Sequence, residues 1–304
     1  MRRKSVKVIF SSIVIIALAF GVWSWDEIIY NVRLLNAYRL GQAYYENNPS
    51  IAKNVAYGRA PHQLLDVYQP ETPGSYPVVI YIHGGGWNSG NKELYALVAQ
   101  KLVPFDVVVV VPRYQLHPDA TYPQMRDDVA AAVAWTINNI AQYNGDPQRI
   151  VLGGQSAGAH LSAMAVFDRS VLAAYNLTPA AICGYYGISG VYDINAQYQF
   201  EVSQGRTAPV MTAVMGGVDA FAATSPIAYV HADLPQVLLI HGDQDETVPL
   251  QMSQDFYRAL NDVRASVSLQ IYPGRGHSEL LFYTLTQNPG QLITDVVGLT
   301  QTCR

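Results

Sequence analysis

One pentapeptide constrains this chain more than any other stretch: Gly154-Gln155-Ser156-Ala157-Gly158. Before it lies the apolar run Arg149-Ile150-Val151-Leu152-Gly153, which reads as a short strand. After it, Ala159-His160-Leu161-Ser162-Ala163-Met164-Ala165-Val166 has helical composition. A Gly-x-Ser-x-Gly between strand and helix reads as a nucleophile elbow. The sharp turn strains the serine backbone, so the positions two residues either side must be small. The turn also lifts the Ser156 hydroxyl above a sheet, where the helix start behind it favours developing negative charge.

A second stretch supports the first. His83-Gly84-Gly85-Gly86-Trp87 follows the apolar run Val78-Val79-Ile80-Tyr81-Ile82. Three glycines after a strand let main-chain N–H groups face a ligand with no side chain in the way. Acyl transfer needs such donors for the oxyanion of its tetrahedral intermediate. The N–H groups of Gly85, Gly86 and Ala157 are the candidates. A plain flexible loop is the competing reading for the glycines taken alone. Trp87 either lines an acyl pocket or packs beneath the loop.

With these motifs the chain resembles the α/β-hydrolase superfamily, in the carboxylesterase and lipase branch that carries a His-Gly-Gly-Gly loop. The resemblance runs over roughly residues 55–290 and rests on six stretches in the family's order. They are Leu65-Asp66-Val67-Tyr68-Gln69-Pro70, the glycine loop, Asn144-Gly145-Asp146-Pro147-Gln148-Arg149-Ile150, the elbow, His241-Gly242-Asp243-Gln244-Asp245-Glu246-Thr247-Val248-Pro249, and Gly276-His277. Residues 127–160 look most like feruloyl and acetyl esterases, kynurenine formamidases and prenylcysteine methylesterases. The resemblance implies an α/β-hydrolase fold and hydrolysis of a small-molecule carboxylic ester without cofactor or metal. An arylformamidase and a prenylcysteine methylesterase are the alternatives, and a non-catalytic hydrolase-fold binding protein is a remote one.

A serine nucleophile needs a base, and the base needs an orienting group. Seven histidines compete. His277 follows the last expected strand and comes after the serine and the acid, the chain order this fold uses. His160 rides the elbow helix one turn past Ser156 and points along it. His83 and His241 sit at strand ends as loop braces, while His62, His117 and His231 read as surface or packing residues. For the acid, Asp243, Asp245 and Glu246 share one loop, and the family pattern His-Gly-x-x-Asp-x-x-Val-Pro selects Asp245. Asp128 reads as charge stabilisation at a helix start.

From residue 78 onward, expected strands alternate with helices, which implies a mostly parallel twisted sheet with helices on both faces. Strands are expected over 78–82, 107–111, 150–152, 181–185, 237–240 and 266–271, and helices over 94–102, 122–143, 157–167, 250–260 and 279–285. Two short antiparallel strands, 54–57 and 63–68, precede them. Gly85, Gly86, Ser156, Asp245 and His277 all fall just past strands, on the edge where such sheets bind ligands. The irregular, aromatic stretch 188–233 reads as a small cap-like insertion or a surface excursion.

Half of the 304 residues are hydrophobic, enough for one large core. Net charge is −4, and four cations fall in the first seven residues, so the remainder is more acidic still. That disfavours a nucleic-acid partner. Two cysteines, Cys183 and Cys303, make no disulfide framework. Residues 8–25 are apolar behind that basic flank, and as a helix they would span ~27 Å. They read as a signal anchor or transmembrane helix over 1–27, with Trp23 and Trp25 at the interface. A cleaved signal peptide ending at Ala17-Leu18-Ala19 is the competing reading. Either way the catalytic domain is exported. A helical connector, 28–53, then leads to the catalytic domain, 54–304.

Overall fold

The valine run does what its composition implies: β4 (Val108–Pro112) is buried along its whole length, as a strand covered on both faces must be. The computed structural model describes residues 25–286 and 290–303. Its sheet has eight strands in the order β1-β2-β4-β3-β5-β6-β7-β8. The others are β1 (Ala52–Ala56), β2 (Leu64–Tyr68), β3 (Tyr76–Ile82), β5 (Gly145–Gln155), β6 (Gly184–Ile188), β7 (Gln236–Gly242) and β8 (Val267–Tyr272). β1 and β2, and β2 and β4, pair antiparallel, while every other pair is parallel.

Alternation along the strands divides the core in two. Val78, Ile80 and Ile82 face the cluster covered by α3 (Tyr122–Asn139), α4 (Ala157–Phe167) and α8 (Leu250–Asp262). Val79 and Tyr81 face the cluster under α2 (Ala96–Leu102), α9 (His277–Thr286) and α10 (Gln291–Thr302). The start of α3 follows from its sequence: a capping box joins Thr121 and Gln124, and proline stands in the first turn. Asn144, left-handed at φ 61°, turns the chain after it into β5.

The chain departs from expectation in several places. β6 starts at Gly184 rather than 181, because a short turn, Pro179–Ala181, takes up those residues. α5 (Arg169–Ala173) and α10 were not foreseen. Residues 188–233 hold two short helices, α6 (Ile194–Ser203) and α7 (Pro209–Met215), linked by turns. Asp128 does not serve a helix start. It accepts hydrogen bonds from His62 Nε2 (3.1 Å), Gln63 Nε2 (2.8 Å) and the Gln115 N–H (2.9 Å), pinning two loops to α3.

The cysteines also need correction. Cys183 and Cys303 form a disulfide across 120 residues, joining the entry of β6 to the end of α10. Their separation hid a proximity that only the fold creates.

The expected connector is helical, as α1 (Trp25–Asn47). It lies against α2 and α9 instead of leading away from the domain. Ala37 is buried there and the Tyr44 ring stacks on Tyr68 at 6.2 Å. Residues 1–24, most of the expected membrane anchor, lie outside the described residues. Among the described residues no helix is long and apolar enough to cross a membrane.

Candidate active site

β5 runs directly into α4 through Ser156, whose φ of 56° and ψ of −122° are the strained geometry of an elbow. Two contacts fix the turn. The Ser156 N–H donates to the Ile188 carbonyl at 2.9 Å, and its carbonyl accepts from the His160 N–H at 3.0 Å. The flanking glycines are steric requirements. A Cβ at Gly158 would strike the carbonyls of Ile82 and His83, and one at Gly154 the Ile82 carbonyl. α4 therefore meets β3 backbone to backbone, and Ser156 reaches the wall of a cavity of about 330 Å³.

His277, the first residue of α9, comes to this edge from β8. Its Nδ1 donates to Asp245 Oδ2 at 2.7 Å. The other ring nitrogen, Nε2, then holds the lone pair a base needs. That lone pair faces the Gln155 side-chain amide, which donates to it at 3.1 Å. Gln155 lies within the elbow, and its carbonyl oxygen rests beside Gly84. Sequence reasoning did not single it out, although its place just before the serine was available as a signal.

Of the three acids in the β7 loop, only Asp245 reaches His277 by a hydrogen bond. Its Oδ1 accepts the N–H groups of Thr247 (3.0 Å) and Val248 (2.9 Å). Its Oδ2 also receives His241 Nε2 at 3.3 Å. Burial alone would raise this carboxyl. The hydrogen bonds from His241, His277 and the Val248 N–H outweigh it and hold Asp245 well below the usual carboxylate range. Asp243 instead accepts the Gly274 N–H at 2.7 Å, bracing the loop before His277. The side chain of Glu246 is not brought to the site.

The remaining histidines separate cleanly. His83, stacked on Tyr114 at 4.4 Å, donates to the Gly84 carbonyl, and burial pushes it down to about 4. His241 braces the acid loop through Ser253 Oγ (2.7 Å) and the Val248 carbonyl (2.9 Å). His160 is fully buried: it accepts the Trp87 indole N–H at 3.2 Å and donates to the Thr224 carbonyl at 2.7 Å.

The glycine loop is left-handed over three successive residues, Gly85 (φ 121°), Gly86 (57°) and Trp87 (61°). Among the described residues no protein acceptor takes the backbone N–H of Gly85, Gly86 or Ala157. Gly86, Trp87 and Ser156 share the cavity, whose far wall comes from α6, α7 and the stretch between them. Trp87 thus does both things the sequence left open, lining the cavity and packing beneath the loop.

The BD-FAE family model matches residues 65–260, which hold the loop, the elbow and the acid. The chain belongs to this family. Among the relatives of this BD-FAE protein is a probable isoprenylcysteine alpha-carbonyl methylesterase of Arabidopsis thaliana, 30% identical over 78% of this chain and 59% of the relative. Esterase LipQ of Mycobacterium tuberculosis is 32% identical over 81% of this chain and 62% of its own length. The chain therefore spans about six tenths of these relatives. Among solved structures, a truncated carbohydrate esterase from gut microbiota superposes with a TM-score of 0.70 and 25% identity, covering 83% of this chain and 96% of that one. Esterase B of Lactobacillus rhamnosis, at 19% identity and a TM-score of 0.72, shares the fold over 87% of this chain and 92% of its own.

Proposed function

We propose that this BD-FAE chain hydrolyses carboxylic esters through an acyl-enzyme on Ser156. The observation that carries the reading is the Asp245–His277 bond at 2.7 Å, which leaves Nε2 as the ring's lone-pair nitrogen beside the elbow, where it accepts the Gln155 amide. Ser156 attacks the ester carbonyl as His277 Nε2 takes its proton. Asp245, held ionised by its donors, fixes the ring and stabilises the imidazolium. The N–H groups of Gly85, Gly86 and Ala157 receive the oxyanion. His277 then gives its proton to the leaving alcohol, and water releases the acid by the same steps in reverse. The named esterases among its relatives and structural neighbours support this reading.

The test is turnover of p-nitrophenyl esters of increasing acyl length by the detergent-solubilised full chain. Turnover lost in Ser156→Ala, and fluorophosphonate labelling of Ser156, are the expected results. Turnover that persists in Ser156→Ala would overturn the assignment.

A second reading of the substrate has its own support. Val191, Val210, Met211 and Val248 give the cavity an apolar side, and several relatives are named isoprenylcysteine methylesterases. A prenylated cysteine methyl ester would then be hydrolysed with a lower KM than p-nitrophenyl acetate.

We further propose that residues 1–27 anchor the chain in a membrane with the catalytic domain exported. The apolar run behind a basic flank supports this. So does the Cys183–Cys303 disulfide, since such bonds persist in oxidising compartments. Full release from membranes by carbonate without detergent would overturn the anchor.

A further inference from the structure

We propose that His160 and Trp87 form a clamp that sets the oxyanion loop against Ser156, with His160 acting as a positioning residue. The inference rests on the Ser156 reading above. It begins with a conformational difficulty. Trp87 carries a side chain yet holds a left-handed backbone, directly after two glycines that do the same. That conformation is uncommon for a bulky side chain, so whatever restrains Trp87 bears on the loop's shape.

The restraint is visible. The indole N–H donates to His160 Nδ1 at 3.2 Å, with the two rings edge-on at 5.4 Å and 87°. An indole N–H can only donate, so Nδ1 carries no proton and Nε2 must carry it. Nε2 spends that proton on the Thr224 carbonyl at 2.7 Å. Both ring nitrogens are thereby used, and the ring is fully buried. Burial also pushes the imidazole down to about 4. At neutral pH the ring therefore stays neutral, and Nδ1 keeps the lone pair that accepts the indole N–H.

What the clamp joins gives it a function. His160 lies one helical turn beyond Ser156, and its N–H donates to the Ser156 carbonyl at 3.0 Å. The same helix begins at Ala157, one candidate oxyanion donor. Trp87 is covalently next to Gly86, another. The loop donors and the helix donor come from elements far apart in sequence, and the indole–imidazole bond ties them side by side. Thr224, from the turns after α7, is fastened to the same ring. A misplaced donor costs transition-state stabilisation more than substrate affinity.

The test uses the full chain with p-nitrophenyl butyrate as substrate. An alkyl trifluoromethyl ketone, which forms a tetrahedral adduct on serine, is the inhibitor. In Trp87→Phe and in His160→Leu, kcat should fall by about 30-fold or more with KM within about threefold, and the ketone should weaken in proportion. The double variant should be little worse than either single variant, since each breaks the same bond. His160→Asn, whose Oδ1 can replace Nδ1 as acceptor, should recover at least about tenfold over His160→Leu. If His160→Leu does not fold, Trp87→Phe and His160→Asn carry the same comparison.

Unchanged kcat and ketone affinity in Trp87→Phe would overturn the clamp. So would additive losses that merely follow Tm. A wild-type chain that fluorophosphonate fails to label, or full turnover in Ser156→Ala, would instead overturn the underlying Ser156 reading.

Discussion

Gln155, the residue before the serine, donates its amide to His277 Nε2 at 3.1 Å. The lone pair that must take the Ser156 proton is thus already occupied, by a neighbour from the same elbow. Catalysis has to exchange that hydrogen bond for one to the serine hydroxyl.

Replacing the amide by a carboxylate reverses its character. Gln155→Glu places an acceptor and a negative charge against Nε2, which favours a proton there. Turnover at pH 7 is expected to fall by at least about tenfold and to recover toward higher pH. Profiles of kcat/KM against pH for the variant and for Gln155→Met check this. The methionine variant, lacking any acceptor, should show no such recovery.

The two aspartates of the β7 loop should differ sharply. Asp245→Asn removes the charge that orients His277 and should lower kcat by about 10³ to 10⁴. Asp243 only accepts the Gly274 N–H, so Asp243→Asn should cost less than about tenfold. Steady-state kinetics of both variants decide it, and the reverse ranking would move the acid to Asp243.

How much of this was legible follows from distance along the chain. The elbow, the glycine loop and the acid loop each write their chemistry into a few adjacent residues at a strand end. The sequence therefore located Ser156, Asp245 and His277 on one edge. Gln155 and His277 are 122 residues apart, Trp87 and His160 are 73, and Cys183 and Cys303 are 120. No local pattern marks such partners, because only the stacking of the parallel strands brings them together. The same holds for α1, whose position against α2 and α9 depends on tertiary packing rather than on its own residues.

Two buried imidazoles give stability a pH dependence of known sign. Burial holds His83 and His160 at about 4 in the folded chain, whereas unfolded histidine takes its proton near 6.5. Between those values the unfolded chain binds more protons, so stability falls as pH drops from 6.5 toward 4. Each ring should contribute about 3 kcal/mol of that loss. Urea unfolding at pH 7, 5.5 and 4.5 measures the slope. In His160→Asn, which does not titrate, the slope should shrink by about one proton.

The disulfide closes a long loop, and its removal should release the chain that much more freely when unfolded. Cys183→Ser with Cys303→Ser should lose about 2–4 kcal/mol in denaturant titrations. Added reductant should lower the wild-type Tm and leave that of the double variant unmoved. Equal Tm values with and without reductant in the wild type would show that the bond contributes little.

α1 rests on α9, and α9 opens with His277. The first helix among the described residues therefore shares a wall with the group that moves the proton. Shortening the chain from its N-terminus, if the cut enters α1, would leave α9 without that backing. Chain length and catalytic geometry are coupled at this seam, and a trimmed protein that turns over slowly would be reporting a loosened His277 rather than a missing substrate.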